Sequence, residues 1–298
     1  DTDNISNAST HNVSNTTKID GKPLYYNTSC GSGNVVLGAT GNHAAIYLFN
    51  CDVSATNPIS ISNLSFRFNG QSILIYNAST GGQRSLAIEN MTIADSKYGI
   101  AIYEYNPSVT TLLKISNISI GSNYSDCAAG IYLQGLNTSA NVNISNNTIK
   151  YNAIGMEFYN ADVNSSSNIT NNSVFDASSY GFFLFNASKL SLSSNAVAFT
   201  VNTSRNETIA GRPAAYRFKV STVNPTDPTC TDGRIYPDYI AFYVLSSQNN
   251  TLANSVISGT TVGYLLGTAP GNQISGGSIT NITEGVYVFG SENTSISS

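Results

Sequence analysis

Side chains able to move protons or hold metals are scarce in this chain. Among 298 residues, Asp and Glu total 17, Lys and Arg 13, and the only histidines are His11 and His43. Two histidines so far apart cannot build a Ser-His-Asp triad or a His-based metal cluster. Glycoside hydrolysis needs two carboxylates facing one bond, and lyase chemistry needs acidic calcium ligands beside a base. Glu157 is the one acid at an outward position of the strands defined below, and a lone outward Glu reads as a solvated surface group. Glu89 and Asp95 are too few and fall on different faces. Asp227, Asp232 and Asp238 stand beside Pro and Gly, where acids usually form turns, so calcium is the less favoured reading there. Gly31, Ser32 and Gly33 lack the Lys and the following helix of a phosphate cradle. No catalytic constellation, metal site or cofactor is expected, and the chain reads as a non-enzyme.

Asparagine offers a different chemistry. The pattern Asn, not Pro, Ser or Thr occurs 22 times, against about nine expected from 38 Asn and 70 Ser plus Thr. That excess points to N-glycosylation, hence to an extracellular or cell-surface protein. The expected acceptors are Asn4, Asn7, Asn12, Asn15, Asn27, Asn77, Asn123, Asn137, Asn164, Asn186, Asn202, Asn206 and Asn249. Four cysteines, Cys30, Cys51, Cys127 and Cys230, suit two disulfides in that compartment. Three pairings are possible. Cys127 and Cys230 lie in insertions at the same point of different coils, which favours Cys127 with Cys230 and Cys30 with Cys51; no C-x-x-C spacing supports metal.

The third constellation is aromatic. Phe49, Tyr76, Tyr103, Tyr159, Phe185, Tyr243 and Phe289 recur at one outward position, and Tyr132, Phe183 and Tyr287, with Tyr47, at the neighbouring one. Stacked, they make a long apolar stripe outside the core. A contiguous apolar surface of that kind marks an interaction site, here a subunit interface or a ladder on which sugar rings stack. The alternative is that another part of the chain covers the stripe.

Two recurring strands position all these residues. One reads Gly99-Ile-Ala-Ile, Gly130-Ile-Tyr-Leu, Gly155-Met-Glu-Phe, Gly181-Phe-Phe-Leu, Tyr239-Ile-Ala-Phe, Gly263-Tyr-Leu-Leu and Gly285-Val-Tyr-Val, with earlier copies from Ala45 and Ser72. The other begins at Ile61, Ile88, Ile115, Ile144, Ile169, Leu192, Leu252 and Ile274, spaced 27, 27, 29, 25, 23, 60 and 22 residues apart. Alternation of period two puts Ile100 and Ile102 on one face and the residue between them on the other. One such coil cannot bury its own apolar face, so coils must stack at about 4.8 Å. A period in the twenties without helical spacing is the mark of a solenoid. The Asn that recurs at the bend, in Asn63, Asn90, Asn117, Asn146 and Asn171, suits a left-handed turn and a hydrogen-bonded ladder, in which a glycan would not fit.

On these strands the chain resembles the right-handed parallel β-helix superfamily, which holds pectate lyases, polygalacturonases, phage tailspikes and copper-site accessory proteins. The resemblance implies an all-β, right-handed parallel β-helix (solenoid) of about nine coils over residues 36–298, with one long loop insertion at about 200–238. Residues 1–35 read as a glycosylated tail and lead-in. Copper-site function finds little support in two His and two Met. Charged residues are only 10% and the net charge is −4, which excludes the basic surface that nucleic acid requires. No run of 18 apolar residues spans a membrane. By composition the chain is similar to surface proteins of acidophilic or thermophilic archaea. The expected function is a glycosylated structural unit of a cell-surface layer or filament, self-associating through the aromatic stripe and the open ends of the stack. The competing reading is a protein that binds or processes polysaccharide, including a receptor-binding spike.

Overall fold

The computed structural model describes residues 18–19, 22–28, 35–37, 45–51, 58–67, 71–77, 83–94, 96, 98–121, 129–177, 179–198 and 240–298. Every regular element among them is a strand. A turn of the stack runs through a long strand, Ile154–Ala161, then two short ones, Asn168–Thr170 and Ser173–Phe175, before the next turn opens at Tyr180–Phe185. The long strands form one sheet of eleven and the short ones, with their fused earlier copies, a sheet of sixteen. Apart from an antiparallel pair at Lys18–Ile19 and Lys22–Asn27, neighbours in the long-strand sheet run parallel. This is a parallel β-helix. It begins earlier than the repeat suggests, because Lys22–Asn27 already pairs in parallel with Ala45–Phe49.

Register explains the core. Ile46, Ile73, Ile100, Ile131, Met156, Phe182, Phe242 and Tyr264 stand one above another, all buried. Opposite them lie Ile61, Ile88, Ile115, Ile144, Ile169, Leu192, Leu252 and Ile274. One hydrophobic cluster joins both columns. Within it the rings of Phe182 and Phe242 lie parallel with centroids 4.8 Å apart, and Tyr264 continues the pile at 5.0 Å. The glycine that opens the strands is there because two chains pass close by. A Cβ on Gly155 would stand 2.5 Å from the Gly181 carbonyl oxygen and 2.5 Å from Val174 Cγ1. Gly99, Gly130 and Gly181 meet equivalent neighbours.

Two sequence expectations need correction. Ile240–Leu245 pairs so that Phe242, not Ile240, lies against Phe182, and Ala241 takes the glycine place. The expected frame was off by two residues. Both frames bury the same alternate residues, so hydrophobic pattern alone cannot choose between them after a 60-residue interval. Tyr243 therefore lies beside Phe183, and Leu245 beside Phe185.

Of the expected asparagine ladder one rung is present, Asn117 Nδ2 donating to Asn90 Oδ1 at 3.2 Å, and the buried, fully paired ladder lies one residue further on. Asn63, Asn90, Asn117, Asn146 and Asn171 do adopt left-handed backbone, with φ from 54° to 58°, but their side chains are exposed. The buried ladder is Asn147, Asn172 and Asn195. Asn147 Nδ2 donates to Asn172 Oδ1 at 2.9 Å, and Asn172 Nδ2 to Asn195 Oδ1 at 3.0 Å. Their second amide hydrogens go to the carbonyls of Ile115 and Ile144, and each Oδ1 also accepts a backbone N–H. A bend that turns polar backbone inward needs such complete pairing, since an orphaned buried group costs about 1–3 kcal/mol. Asn250 and Asn272 make a second ladder at the preceding corner, ahead of the first short strand. The reason for excluding glycans from the five left-handed asparagines is thereby removed.

Candidate functional site

The outer face of the long-strand sheet holds the aromatic residues and Glu157. Its first outward column, in register, is Tyr26, Tyr47, Leu74, Ala101, Tyr132, Glu157, Phe183, Tyr243, Leu265 and Tyr287. The second is Phe49, Tyr76, Tyr103, Gln134, Tyr159, Phe185, Leu245, Gly267 and Phe289. The columns are those the alternation predicts, save that Tyr243 stands in the first where Ala241 was expected and Leu245 in the second where Tyr243 was expected.

The stripe is not the exposed surface that was expected. Phe49 is 0% exposed, Tyr243 3% and Phe183 8%. Tyr76, Tyr103, Tyr132, Tyr159, Phe185 and Phe289 are partly buried, and Tyr287, at 39%, is the open one. Ring-on-ring packing at the coil spacing is a physical cause visible here: Phe183 stacks on Tyr243 at 5.2 Å, Tyr159 on Phe185 at 4.9 Å, and Tyr103 leans on Tyr132 at 5.2 Å. The outer rings thus form small cores of their own. One gathers Phe49, Leu74 and Ala101 with tyrosines up to Tyr132. The other gathers Tyr180, Phe183, Ile240, Tyr243, Leu245, Val262 and Leu265.

Between the two cores runs a polar seam, and this is the candidate site. Gln134 and Glu157 interrupt the apolar columns there, and Tyr132 Oη donates to Gln134 Oε1 at 2.7 Å. Glu157 is only 5% exposed, contrary to the solvated role expected of a lone outward acid. Its register neighbours are the bulky Tyr132 and Phe183. It forms no hydrogen bond among the described residues. Burial pushes its carboxyl up to about 8, so it is mostly protonated at neutral pH. The same burial, with the field of Glu157, pushes the Tyr98 phenol up to about 12 and raises Tyr103 and Tyr132 further. A protonated carboxyl ringed by tyrosine hydroxyls can donate and accept hydrogen bonds without net charge.

The other acidic residues do not join it. Glu89 accepts from Lys114 Nζ at 2.6 Å and from Ser116 Oγ at 3.0 Å, and the Lys114 hydrogen bond holds its carboxyl below the ordinary range. Glu284, in register with Val262, Ile240 and Tyr180, is four coils from Glu157, roughly 19 Å at the strand spacing, too far for paired-carboxylate chemistry. Asp95, Asp227, Asp232, Asp238, His11, His43 and Gly31 to Gly33 lie outside the described residues. Sequence reasoning missed Tyr98 and Tyr180. Each immediately precedes the strand glycine and has the parity of the inward column, so alternation alone turns both rings into the core; the alternation breaks at the glycine, and the two rings join the outer clusters instead.

The glycan candidates scatter over turns. Asn186 and Asn249 are exposed on left-handed turns, and Asn186 Nδ2 donates to Asn160 Oδ1 at 2.8 Å. Asn77 occupies the equivalent turn, half-buried, donating to Asn50 Oδ1 at 2.8 Å. Asn137 donates to the Pro107 carbonyl at 3.0 Å, and Asn164 Oδ1 accepts from Ser166 N. Asn27 stands in register with inward-facing Leu48. Asn4, Asn7, Asn12, Asn15, Asn123, Asn202 and Asn206 lie outside the described residues. Cys51 is buried and disulfide-bonded. Cys30, Cys127 and Cys230 fall outside the described residues, so the pairing stays an expectation.

A family model described as a right handed beta helix region matches residues 32–212, more than half of the chain. No curated protein and no solved structure matches it.

Proposed function

Because the chain belongs to the right-handed β-helix family, which fixes a scaffold and leaves the activity open, we propose that it is an extracellular, N-glycosylated structural unit of a cell-surface layer or filament. The observation that carries this reading is the single hydrophobic cluster running from Leu37 to Ile274 through successive coils. A solenoid with one uninterrupted core and hydrogen-bonded corners is a stiff rod, suited to spanning or tiling a surface. Exposed sequon asparagines at Asn186 and Asn249 and the disulfide at Cys51 agree with an oxidising, glycosylating compartment. Self-association does not run through the buried rings. Electron microscopy of native material with intact-mass measurement tests the reading. Ordered arrays or filaments and a mass above 31.5 kDa are expected; dispersed particles at the bare chain mass would overturn it.

A second reading has its own support in the polar seam. Glu157, buried among tyrosines without a hydrogen-bond partner among the described residues, suits a neutral, hydroxyl-rich ligand such as a polysaccharide. Saturable binding on a glycan array, lost in Tyr103→Ala with Tyr159→Ala, favours it. Binding unchanged in that double variant rules it out.

A further inference from the structure

We propose that the left-handed corner asparagines Asn63, Asn90, Asn117, Asn146 and Asn171 carry N-glycans, forming a ridge of sugar along one edge of the solenoid. The inference rests on the extracellular reading above and names where its glycans stand. Each of the five opens a sequon, and register stacks them on successive coils: Asn117 over Asn90, Asn146 over Asn117, Asn171 over Asn146. All five are exposed. The middle residue of each sequon is buried, whereas Ser65, Thr92 and Ser119 are exposed and Thr148 and Ser173 partly so. The acceptor amide and the hydroxyl that the modification requires therefore share the outside of the corner.

The fold does not itself demand this pattern. Three later coils make the same left-handed corner with Ser194, Asn254 and Gly276, at φ of 55°, 51° and 57°, and none opens a sequon. The place of the sequon hydroxyl is likewise taken by Ala196 and Val256 in the stacked strands that follow Ser173. A left-handed turn needs Asn, Gly or a tolerant substitute, and an outward strand position needs nothing in particular. Five consecutive sequons at a corner that functions without them point to the sugar.

The chemistry is compatible with the geometry. The amide nitrogen attacks the anomeric carbon of a lipid-linked oligosaccharide. The new C–N bond forms as the bond from sugar to lipid phosphate breaks, one amide proton is lost, and nothing is oxidised or reduced. One N–H remains on the nitrogen. Asn117 Nδ2, which donates to Asn90 Oδ1 at 3.2 Å, keeps a hydrogen for that bond after modification.

Glycopeptide mass spectrometry of the native protein tests the proposal, with Ser173→Ala and Ser119→Ala made in the native host. Glycan mass is expected on the peptides holding the five asparagines, and each variant should lose one glycan. Ser173→Ala installs the residue already present as Ala196 in the next coil, so an unchanged β-type circular dichroism spectrum confirms that folding is kept. Unmodified corner peptides beside glycosylated Asn77, Asn137, Asn164 or Asn186 would overturn the ridge and leave the extracellular reading intact. A chain without any glycan would overturn both.

Discussion

Glu157 shows how strongly a residue's neighbours decide its chemistry. An acid at an outward strand position should be solvated, yet Glu157 is buried, and that burial raises its carboxyl from the ordinary 4.5 to about 8. Between those values the folded chain binds a proton that the unfolded chain has released. Stability therefore falls as pH rises through that window and is unaffected by this group at lower pH. Glu89, held low chiefly by the Lys114 hydrogen bond, acts in the opposite sense, and does so below its ordinary value of 4.5. A tenfold change in proton affinity corresponds to about 1.4 kcal/mol, so Glu157 should cost roughly a few kcal/mol at pH 8. Glu157→Gln keeps the shape and removes the titration. Chemical denaturation at pH 5 and pH 8 should show the native chain weakening across the interval and the variant changing much less. Parallel behaviour of the two proteins would show that Glu157 ionises freely in the fold. None of this was legible in the sequence, because burial of an outward residue depends on side chains two dozen positions away.

At the scale of the strand, the repeat was readable and its exact seating only partly so. Alternation with a leading glycine is a local signal, and the long strands lie where that signal put them. Ile240–Leu245 slid by two because a 60-residue interval precedes it and both frames bury the same parity. The ladder lay one residue on because Asn146 and Asn147, or Asn171 and Asn172, are adjacent, and composition does not say which one turns inward. Leu64, Met91 and Ile118 occupy the inward place in the earlier coils, and that comparison was the available clue. The glycine column gives a sharp test of strand packing. A methyl on Gly155 meets backbone and a branched side chain at 2.5 Å, whereas one on Gly285 meets nothing within 4 Å. Gly155→Ala should destabilise by about 1–3 kcal/mol as overpacking does, and Gly285→Ala should stay within about 0.5 kcal/mol of the native chain. Melting temperatures of the two variants decide this. Equal losses at both positions would mean that helix-wide propensity, not close approach, selects glycine.

At the scale of the molecule, each long strand of the described residues pairs only with the strands above and below it, so stability is a property of position along the stack. A central strand such as Ile154–Ala161 is hydrogen-bonded on both edges and packs on buried Met156 and Phe158. Glu284–Phe289 is bonded on one edge, and Tyr287, Val288 and the nearby Ile296 are open to solvent. In a one-dimensional array opening begins where a unit has one neighbour and moves inward. Hydrogen exchange followed by mass spectrometry on this chain should be slowest over residues 129–185 and fastest over 284–298. A core substitution sharpens the contrast. Phe182→Ala removes a ring stacked on Phe242 inside the column and should cost about 3–5 kcal/mol, raising exchange in the coils on both sides. Val286→Ala, partly buried in the last coil, should cost well under half as much and leave residues 129–185 unchanged. Uniform protection along the chain, or a Val286→Ala effect that reaches the central coils, would mean that the solenoid opens as one cooperative block and that its ends are no weaker than its middle.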